Sequence, residues 1–245
     1  MFKLISILVT CLTIGISSFA QHQQMRLMSY NIRNAKGMDN KTDYDRTAAV
    51  IKNTNADIIA LQELDSVTKR NGGEDVLKIL GERTHFFFVY GAAIDYQGGK
   101  YGVGILSKQK PLKYYTVPLP GKEEQRVLLV AVYKKYVIFC THWSLTDADR
   151  LTSAAIINKE AEKFTKRIYL LGDLNAEPNS NAIAVLKRNW FLISGEQPTF
   201  PAPVPAKCID YIFTNKRKVK VISKNVLDEP MASDHRPVLV ELRKR

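Results

Sequence analysis

The sequence predicts an α/β (α+β) fold in which two packed β-sheets are covered by helices. Short apolar runs typical of strands alternate with a few helical patterns along the chain. In the middle of the chain several strand patterns follow one another with no helix between them, which is typical of antiparallel hairpins. No internal repeat or low-complexity linker interrupts this order. Because each sheet must bury a face, two sheets packed together with helices outside is the favoured arrangement.

The first part of the chain predicts two helices among strands. Residues 43–53 and 74–83 have helical spacing of apolar side chains, whereas the strand patterns are rich in β-branched and aromatic residues. The strands predicted in this part are 25–32, 56–61, 85–90, 102–107, 112–117, 127–133 and 136–142.

The second part predicts two more helices and a proline-rich loop. One helix is indicated by an apolar stripe that begins with two acidic residues, and the other covers residues 179–188. The stripe consists of Leu151, Ala154, Ile157, Ala161 and Phe164, after Asp147 and Asp149. The predicted strands are 167–171, 209–213, 219–223 and 237–242. Residues 194–207 contain four prolines, which predict a stiff surface loop leading to Asp210.

The first twenty residues have the pattern of a secretory signal peptide. Lys3 gives the positive start, residues 4–16 are mostly apolar, and Ser18 and Ala20 are small residues at the cleavage-determining positions. The apolar run is shorter than the roughly 20 residues that span a bilayer, and an uncleaved anchor is the alternative. We therefore expect residues 21–245 to form a single domain that is exported, either periplasmic or secreted.

The formal net charge is +12, and only Lys3 of this excess belongs to the predicted signal. A basic surface favours polyanionic partners, namely nucleic acid, anionic lipid headgroups or phosphorylated small molecules. Solvated surface lysines are the alternative explanation. Much of the excess lies in residues 216–220 and 243–245.

Two cysteines remain after the predicted signal, which excludes a disulfide scaffold. Cys140 and Cys208 each come two residues before a polar residue of interest, His142 and Asp210. If their strands are neighbours, a disulfide near the site is one possibility, and two buried free thiols are the other.

Five polar blocks stand at predicted strand ends. They are residues 29–33, 62–65, 141–144, 172–175, and Asp210 together with residues 234–235. Singly, most have a structural explanation: a solvated residue after a strand, a hydrogen-bonded histidine or an Asx turn. Asp210 is different, because a carboxylate within a strand-forming run is costly unless it is paired, and a histidine is its natural partner.

The blocks in this order resemble the endonuclease/exonuclease/phosphatase (deoxyribonuclease I-like) superfamily of metal-dependent phosphoesterases. The specific motifs are Gly172-Asp173-Leu174-Asn175 and Ser233-Asp234-His235-Arg236-Pro237. The resemblance covers Asn31 to Pro237, and the run Thr199-Phe200-Pro201-Ala202 is similar to the short exported bacterial branch. It implies a four-layer α-β-β-α sandwich of two mainly antiparallel sheets flanked by helices.

The resemblance and the chemistry together imply a metal site and a set of catalytic groups. Glu63 is expected to be the principal metal carboxylate with Asn31 beside it and Asp234 as a second ligand. Mg²⁺ or Mn²⁺ is expected, because hard oxygen ligands suit those ions.

The catalytic residues implied in the same way are His142, Asp173, Asn175, Asp210 and His235. Asp173 is expected to orient and deprotonate the attacking water, and Asn175 to donate to the phosphate. His142 and His235 would bind the other phosphoryl oxygens, with Asp210 holding the His235 ring. Arg33 and Tyr101 are candidate substrate-phosphate contacts.

Arg33 argues against a role in abasic-site repair, because abasic-site endonucleases of the family carry an acidic residue at this position. The first prediction is an exported phosphodiesterase acting on nucleic acid, a nuclease with no obligate protein partner and a monomeric state. The alternative is a phosphoesterase acting on phospholipid, sphingomyelin, inositol phosphate or a glycosylphosphatidylinositol-type substrate. A catalytically dead binding module is a third hypothesis, but it predicts loss of a motif residue and none is missing.

Overall fold

The computed structural model describes residues 24–243, so the predicted signal peptide lies outside the described residues. It contains two mixed six-stranded sheets and four α-helices. The helices are α1 (Tyr44–Thr54), α2 (Val76–Thr84), α3 (Asp147–Ala161) and α4 (Asn181–Lys187). The strands are β1 (Gln24–Asn31), β2 (Ile58–Ser66), β3 (Phe87–Tyr96), β4 (Gly99–Ser107), β5 (Lys113–Leu119), β6 (Arg126–Val132), β7 (Tyr136–His142), β8 (Arg167–Asp173), β9 (Phe191–Leu192), β10 (Asp210–Thr214), β11 (Val221–Val226) and β12 (Val238–Arg243). Within this part of the chain, no helix is long and apolar enough to span a membrane.

The two sheets have similar strand orders. The first is β11-β12-β1-β2-β4-β3 and the second is β5-β6-β7-β8-β10-β9. Each contains one parallel pair, β1 with β2 and β7 with β8, and its other neighbours are antiparallel. α1 joins the first parallel pair and α3 joins the second. The carboxyl ends of the strands in each parallel pair therefore lie at the same edge of their sheet.

Three hydrophobic clusters separate four layers. The central cluster lies between the two sheets, and the other two lie beneath α1 and α2 on one side and α3 and α4 on the other. Successive side chains of strand β6 pack on opposite sides of the second sheet: Leu129 faces the central cluster, while its neighbours Leu128 and Val130 face the α3–α4 side. The predicted α-β-β-α sandwich is confirmed.

Local signals explain where the helices begin. The side chains of Asp43, Asp75 and Ser180 accept hydrogen bonds from backbone N–H groups three residues later, at the first turns of α1, α2 and α4. The residues that cap the C-terminal ends of α1 and α2 are Asn55 and His85, and both have left-handed backbone angles. The predicted strand 85–90 therefore begins too early, because the exposed His85 caps α2 and β3 begins at Phe87.

Four further details differ from the prediction. β2 continues past residue 61 through a bulge, so Glu63 lies inside the strand with a φ of 60°. β11 begins and ends later than predicted, and the two-residue strand β9 was not predicted. Leu151 of the expected stripe is exposed, because α3 turns Ser153, Ala154, Ile157 and Glu160 inwards.

Cys140 and Cys208 are free thiols buried on opposite faces of the second sheet. Cys140 belongs to the central cluster, whereas Cys208 packs beneath the helices. The prediction of two buried free thiols is confirmed, because β8 lies between the strands at the two cysteines and the sheet separates the two sulfur atoms.

Candidate active site

The candidate residues converge at the edge where both parallel strand pairs end. Asn31 is the last residue of β1, and His142 pairs with Asp173 at the ends of β7 and β8. Asp210, the first residue of β10, pairs with Asp173 from the other side. Packing of the two sheets brings the Asn31 side chain to within hydrogen-bond distance of Asp173. Strand ends thus position these groups on rigid backbone.

Asp173 lies at the centre of the site and is buried. Its Oδ2 accepts a hydrogen bond from Asn31 Nδ2 at 3.1 Å and lies 3.6 Å from Nε2 of both His142 and His235. Its Oδ1 accepts from the backbone N–H of Asn175 at 2.9 Å. One carboxylate therefore faces two imidazoles and an amide in a space from which most water is excluded.

Asp210 holds the ring of His235. Asp210 Oδ2 accepts from Thr199 Oγ1 at 2.6 Å and from His235 Nδ1 at 2.9 Å. Burial opposes a charge on His235, but the carboxylates of Asp210 and then Asp173 outweigh it and raise the pKa of His235 to about 10. His235 is therefore a fixed cation at neutral pH.

His142 has the opposite environment. Burial lowers the pKa of His142 to about 4; the Asp173 carboxylate opposes burial without offsetting it, and the Arg126 guanidinium lowers the pKa further. Arg126 Nη1 lies 3.2 Å from His142 Nδ1, and a guanidinium can only donate. Nδ1 must therefore be the acceptor, which puts the single proton of the neutral ring on Nε2.

This tautomer leaves two donors facing each other. Asn175 Nδ2 donates to the Trp143 carbonyl at 2.9 Å and lies 3.0 Å from His142 Nε2. Neither N–H group can accept a hydrogen bond from the other, whereas an oxygen of a bound anion beside them would accept hydrogen bonds from both. Asn175 is held in this position by a left-handed backbone, with φ of 45°. Trp143 itself is fully buried, so its ring is core and not an exposed substrate contact.

Glu63 is a carboxylate without an ion-pair partner in the described chain, although the His235 charge acts on it. Its Oε1 accepts from Asn31 Nδ2 at 2.9 Å, and among residues 24–243 it forms no ion pair. Burial raises the pKa of Glu63, the Asn31 hydrogen bond opposes this, and the nearby Asp234 adds to it. A carboxylate in this environment, with further carboxylates close by, fits a divalent cation by its chemistry.

The remaining predicted metal and phosphate residues surround Glu63. Asp234 Oδ2 lies 3.8 Å from Arg33 Nε in a partly exposed ion pair, so each side chain partly neutralises the charge of the other. Asn31 Oδ1 accepts from the backbone N–H of Arg33, and only the amide nitrogen of Asn31 faces Glu63. Tyr101 lies in β4, and its pKa is raised by burial and by the nearby Glu63, which keeps its hydroxyl protonated.

A second position also has metal-binding geometry. One ligand atom from each of Asp173, Asp210 and His235 lies within 4.8 Å of the others. The hydrogen bonds within this group use Asp210 Oδ2 and His235 Nδ1, which is the arrangement of a positioned histidine. The cluster at Glu63 instead offers a carboxylate without an ion-pair partner in the described chain.

Two residues of the site were not predicted. Arg126 is buried beside His142 and is held by Glu123 and Glu124 at 3.0 and 2.8 Å, and no sequence pattern connects these residues to His142. Thr199 lies in the run that resembles the exported branch, and its hydroxyl contacts Asp210. That run was the only sequence signal that could have indicated it.

The sandwich and its polar edge are those of a phosphoester hydrolase. Residues 28–235 match the model of the Endonuclease/Exonuclease/phosphatase family. The chain belongs to this family, whose members hydrolyse phosphoesters and usually use a divalent metal.

Solved structures show the same fold. A family protein from Bacteroides vulgatus is 20% identical with a TM-score of 0.75, over 91% of this chain and 100% of that one. The mannosyl-6-phosphatase of Bacteroides thetaiotaomicron is 18% identical with a TM-score of 0.72, over 89% and 99%. The catalytic domain of human Nocturnin, with a bound sulfate anion, is 17% identical with a TM-score of 0.69, over 91% and 94%.

Proposed function

We propose that the chain is an exported, divalent-metal-dependent phosphodiester hydrolase, with nucleic acid as its first candidate substrate. One observation carries the reaction class: the N–H donors of His142 and Asn175 converge within 3.0 Å of each other beside the carboxylate of Asp173. Together with the cationic His235, this is a site for an anionic tetrahedral group next to a group that can orient water.

Each residue has a role that follows from its contacts. Asp173 orients the attacking water and accepts its proton, since its Oδ2 points into the site. His142 Nε2–H and Asn175 Nδ2–H hold a phosphoryl oxygen. His235 binds another oxygen and can give its proton to the leaving oxygen, while Asp210 keeps the ring in place.

Glu63, supported by Asn31 and with Asp234 close by, is the proposed metal-binding group. A bound Mg²⁺ or Mn²⁺ would polarise a phosphoryl oxygen and stabilise the charge that develops on it. Arg33 is paired with Asp234, and it would be available to contact a phosphate if that carboxylate held the metal.

Fewer features of the chain bear on the substrate class than on the reaction class. The net charge of +12 and Arg33 favour nucleic acid. One observation favours a small-molecule phosphoester within the second candidate class: eight of the basic residues line a cavity at the other end of the strands, away from Asp173. The positive charge there cannot hold a substrate at the catalytic edge.

An activity panel with matched variants tests both the reaction class and the substrate class. Plasmid DNA, RNA, sphingomyelin, phosphoinositides and a bis-aryl phosphate would be assayed with Mg²⁺, Mn²⁺ and EDTA. His142→Asn and Asp173→Asn are each expected to lower kcat on the order of 10²–10⁴-fold. The controls are His85→Asn and Asp45→Asn, which make the same chemical changes at exposed residues of the helical layer and should leave kcat unchanged.

The outcomes separate the reaction from the substrate. Turnover that persists in EDTA or in Asp173→Asn would overturn the mechanism. Turnover of lipid without nucleic acid would overturn the nuclease assignment and leave the hydrolysis of phosphoesters standing. Export is tested separately by cell fractionation and N-terminal sequencing, for which we expect a mature chain that begins at Gln21.

A further inference from the structure

A basic cavity lies at the opposite end of the sandwich from the candidate active site. It has a volume of about 770 Å³, and it is lined by the first residues of strands from both sheets, including Met25, Tyr136 and Arg167. Strand β8 runs from Arg167 at the cavity to Asp173 at the catalytic edge. Seven residues of strand place the two sites roughly 20 Å apart.

The charge of the cavity is strongly one-sided. Eight of its lining residues are Lys or Arg and one, Asp57, is acidic. Asp57 is already engaged by Lys108 at 3.3 Å and by the backbone N–H of Arg26 at 2.9 Å. The other basic lining residues are Lys134, Lys135, Arg167, Lys216, Arg217, Lys218 and Arg243. Like charges this close repel one another, so an anion between them would be bound favourably.

Arg167 carries a charge that no carboxylate of residues 24–243 neutralises. Its Nη2 donates to the Lys218 carbonyl at 3.1 Å, and its side chain interacts with that of Tyr169, so the guanidinium is held at the cavity wall. A positioned guanidinium with no carboxylate partner is suited to a phosphate. The floor below it is apolar, since Met25, Tyr169 and Leu242 are buried there.

The surroundings of the cavity indicate a lipid surface. The loop after β4 reaches the same end and carries Leu112, 69% exposed, between Lys110 and Lys113. Exposed lysines around an apolar side chain are the composition that binds anionic headgroups while apolar groups enter the interface.

We propose that this cavity binds the phosphate of an anionic phospholipid headgroup, so that the protein docks on the membrane surface with its catalytic edge facing away. Arg167 and the lysines of residues 216–218 hold the phosphate. The surrounding lysines add attraction that falls with increasing salt.

The test compares two pairs of substitutions in the full chain that remove the same charge at the same end. Lys216→Gln with Lys218→Gln changes the cavity, and Lys110→Gln with Lys113→Gln changes exposed lysines that do not line it. Binding would be measured by sedimentation with vesicles of phosphatidylcholine, with and without phosphatidylglycerol. Phosphatidylcholine alone reports any contribution of the exposed apolar side chain of Leu112.

We expect a preference for the anionic vesicles that the cavity pair lowers about 10- to 30-fold, because its lysines lose charge-assisted hydrogen bonds to the bound phosphate. The control pair should lower it less than about threefold if only diffuse attraction is lost. Turnover of a soluble substrate and the thermal midpoint should be the same in both pairs, because neither touches the catalytic edge.

Three results would overturn the proposal. Equal losses in the two pairs would mean diffuse charge attraction without a site. Equal binding to neutral and anionic vesicles would exclude headgroup recognition. Binding of a soluble nucleotide or of DNA that is lost in the cavity pair, while vesicle binding is kept, would assign the cavity to a different ligand.

Discussion

The substitution Asp210→Asn tests whether a buried carboxylate keeps His235 charged. In the wild-type protein Asp210 Oδ2 accepts from His235 Nδ1 at 2.9 Å, and both residues are buried. Burial opposes the imidazolium, and Asp210 followed by Asp173 raises its pKa from 6.5 to about 10. Asparagine keeps the shape and removes the charge, so burial should then dominate and lower the pKa of His235 below about 8.

The magnitude follows from the difference between the two pKa values. The interval from 6.5 to about 10 corresponds to an upper limit of roughly 5 kcal/mol at 1.36 kcal/mol per pKa unit. Because the pKa is raised in the folded state, this stabilisation is fully present below pH 6.5 and is lost as the pH rises through about 10. The variant should lose most of it, and burying an unpartnered amide at the Asp210 Oδ1 position costs about 1–3 kcal/mol more.

The assay is a titration of the histidine ring protons by NMR in EDTA, alongside denaturant unfolding at several pH values. The wild-type His235 signal should not shift between pH 5.5 and 8.5, whereas the Asp210→Asn signal should titrate within that range. Thr199→Val is the control, since it removes the other hydrogen bond to Asp210 Oδ2 and keeps the charge. A wild-type midpoint below pH 8, or a variant that stays protonated above pH 9, would refute the reasoning.

Three further substitutions test other parts of the structure. Glu123→Gln should destabilise the protein by about 1–2 kcal/mol. Burial opposes the charge of Glu123, but hydrogen bonds, of which the largest contribution comes from the Leu145 N–H, hold its pKa at about 2. The difference in unfolding free energy between wild type and variant should therefore shrink as the pH falls from 4.5 towards 2. Glu63→Gln should raise the Mg²⁺ concentration needed for half-maximal activity at least about tenfold by removing a charged ligand, and unchanged metal dependence would exclude Glu63 as the metal-binding group. Gly172→Ala should lower both the thermal midpoint and kcat, because its Cβ would lie 2.2 Å from the Thr141 carbonyl and push β7 from β8; a variant with wild-type kcat would show that this register is not critical.

The parts of the site that the sequence predicts are those carried by strand ends. Asp173 and His142 follow apolar runs, and a strand that stops before a polar residue indicates where its side chain will lie. The partnership of Asp210 with a histidine was also predictable, because a carboxylate inside a strand needs a partner. These inferences need only local pattern and the cost of burying a charge.

The parts that could not be predicted depend on how the elements meet. Arg126 reaches His142 because β6 pairs with β7 in one particular register, which no local pattern specifies. Glu63 lies at a bulge with positive φ, a conformation that glutamate rarely adopts and that surrounding contacts must impose. The exposure of Leu151 has the same origin: Glu160 turns inwards instead, since Tyr115 donates a hydrogen bond to it at 2.7 Å.

The separation of the two proposed sites follows from the parallel strand pairs. Parallel strands gather their carboxyl ends at one edge and their amino ends at the other, so catalytic groups at Asn31 and Asp173 leave the opposite end free for a different role. If the basic cavity docks the protein on anionic lipid, the catalytic edge lies roughly 20 Å from the headgroups. A soluble phosphodiester can reach it there, whereas a lipid of the same bilayer cannot. Docking through the cavity would therefore favour nucleic acid over lipid as substrate, and rapid hydrolysis of a docked vesicle's own lipid would contradict either the docking orientation or the position of the active site.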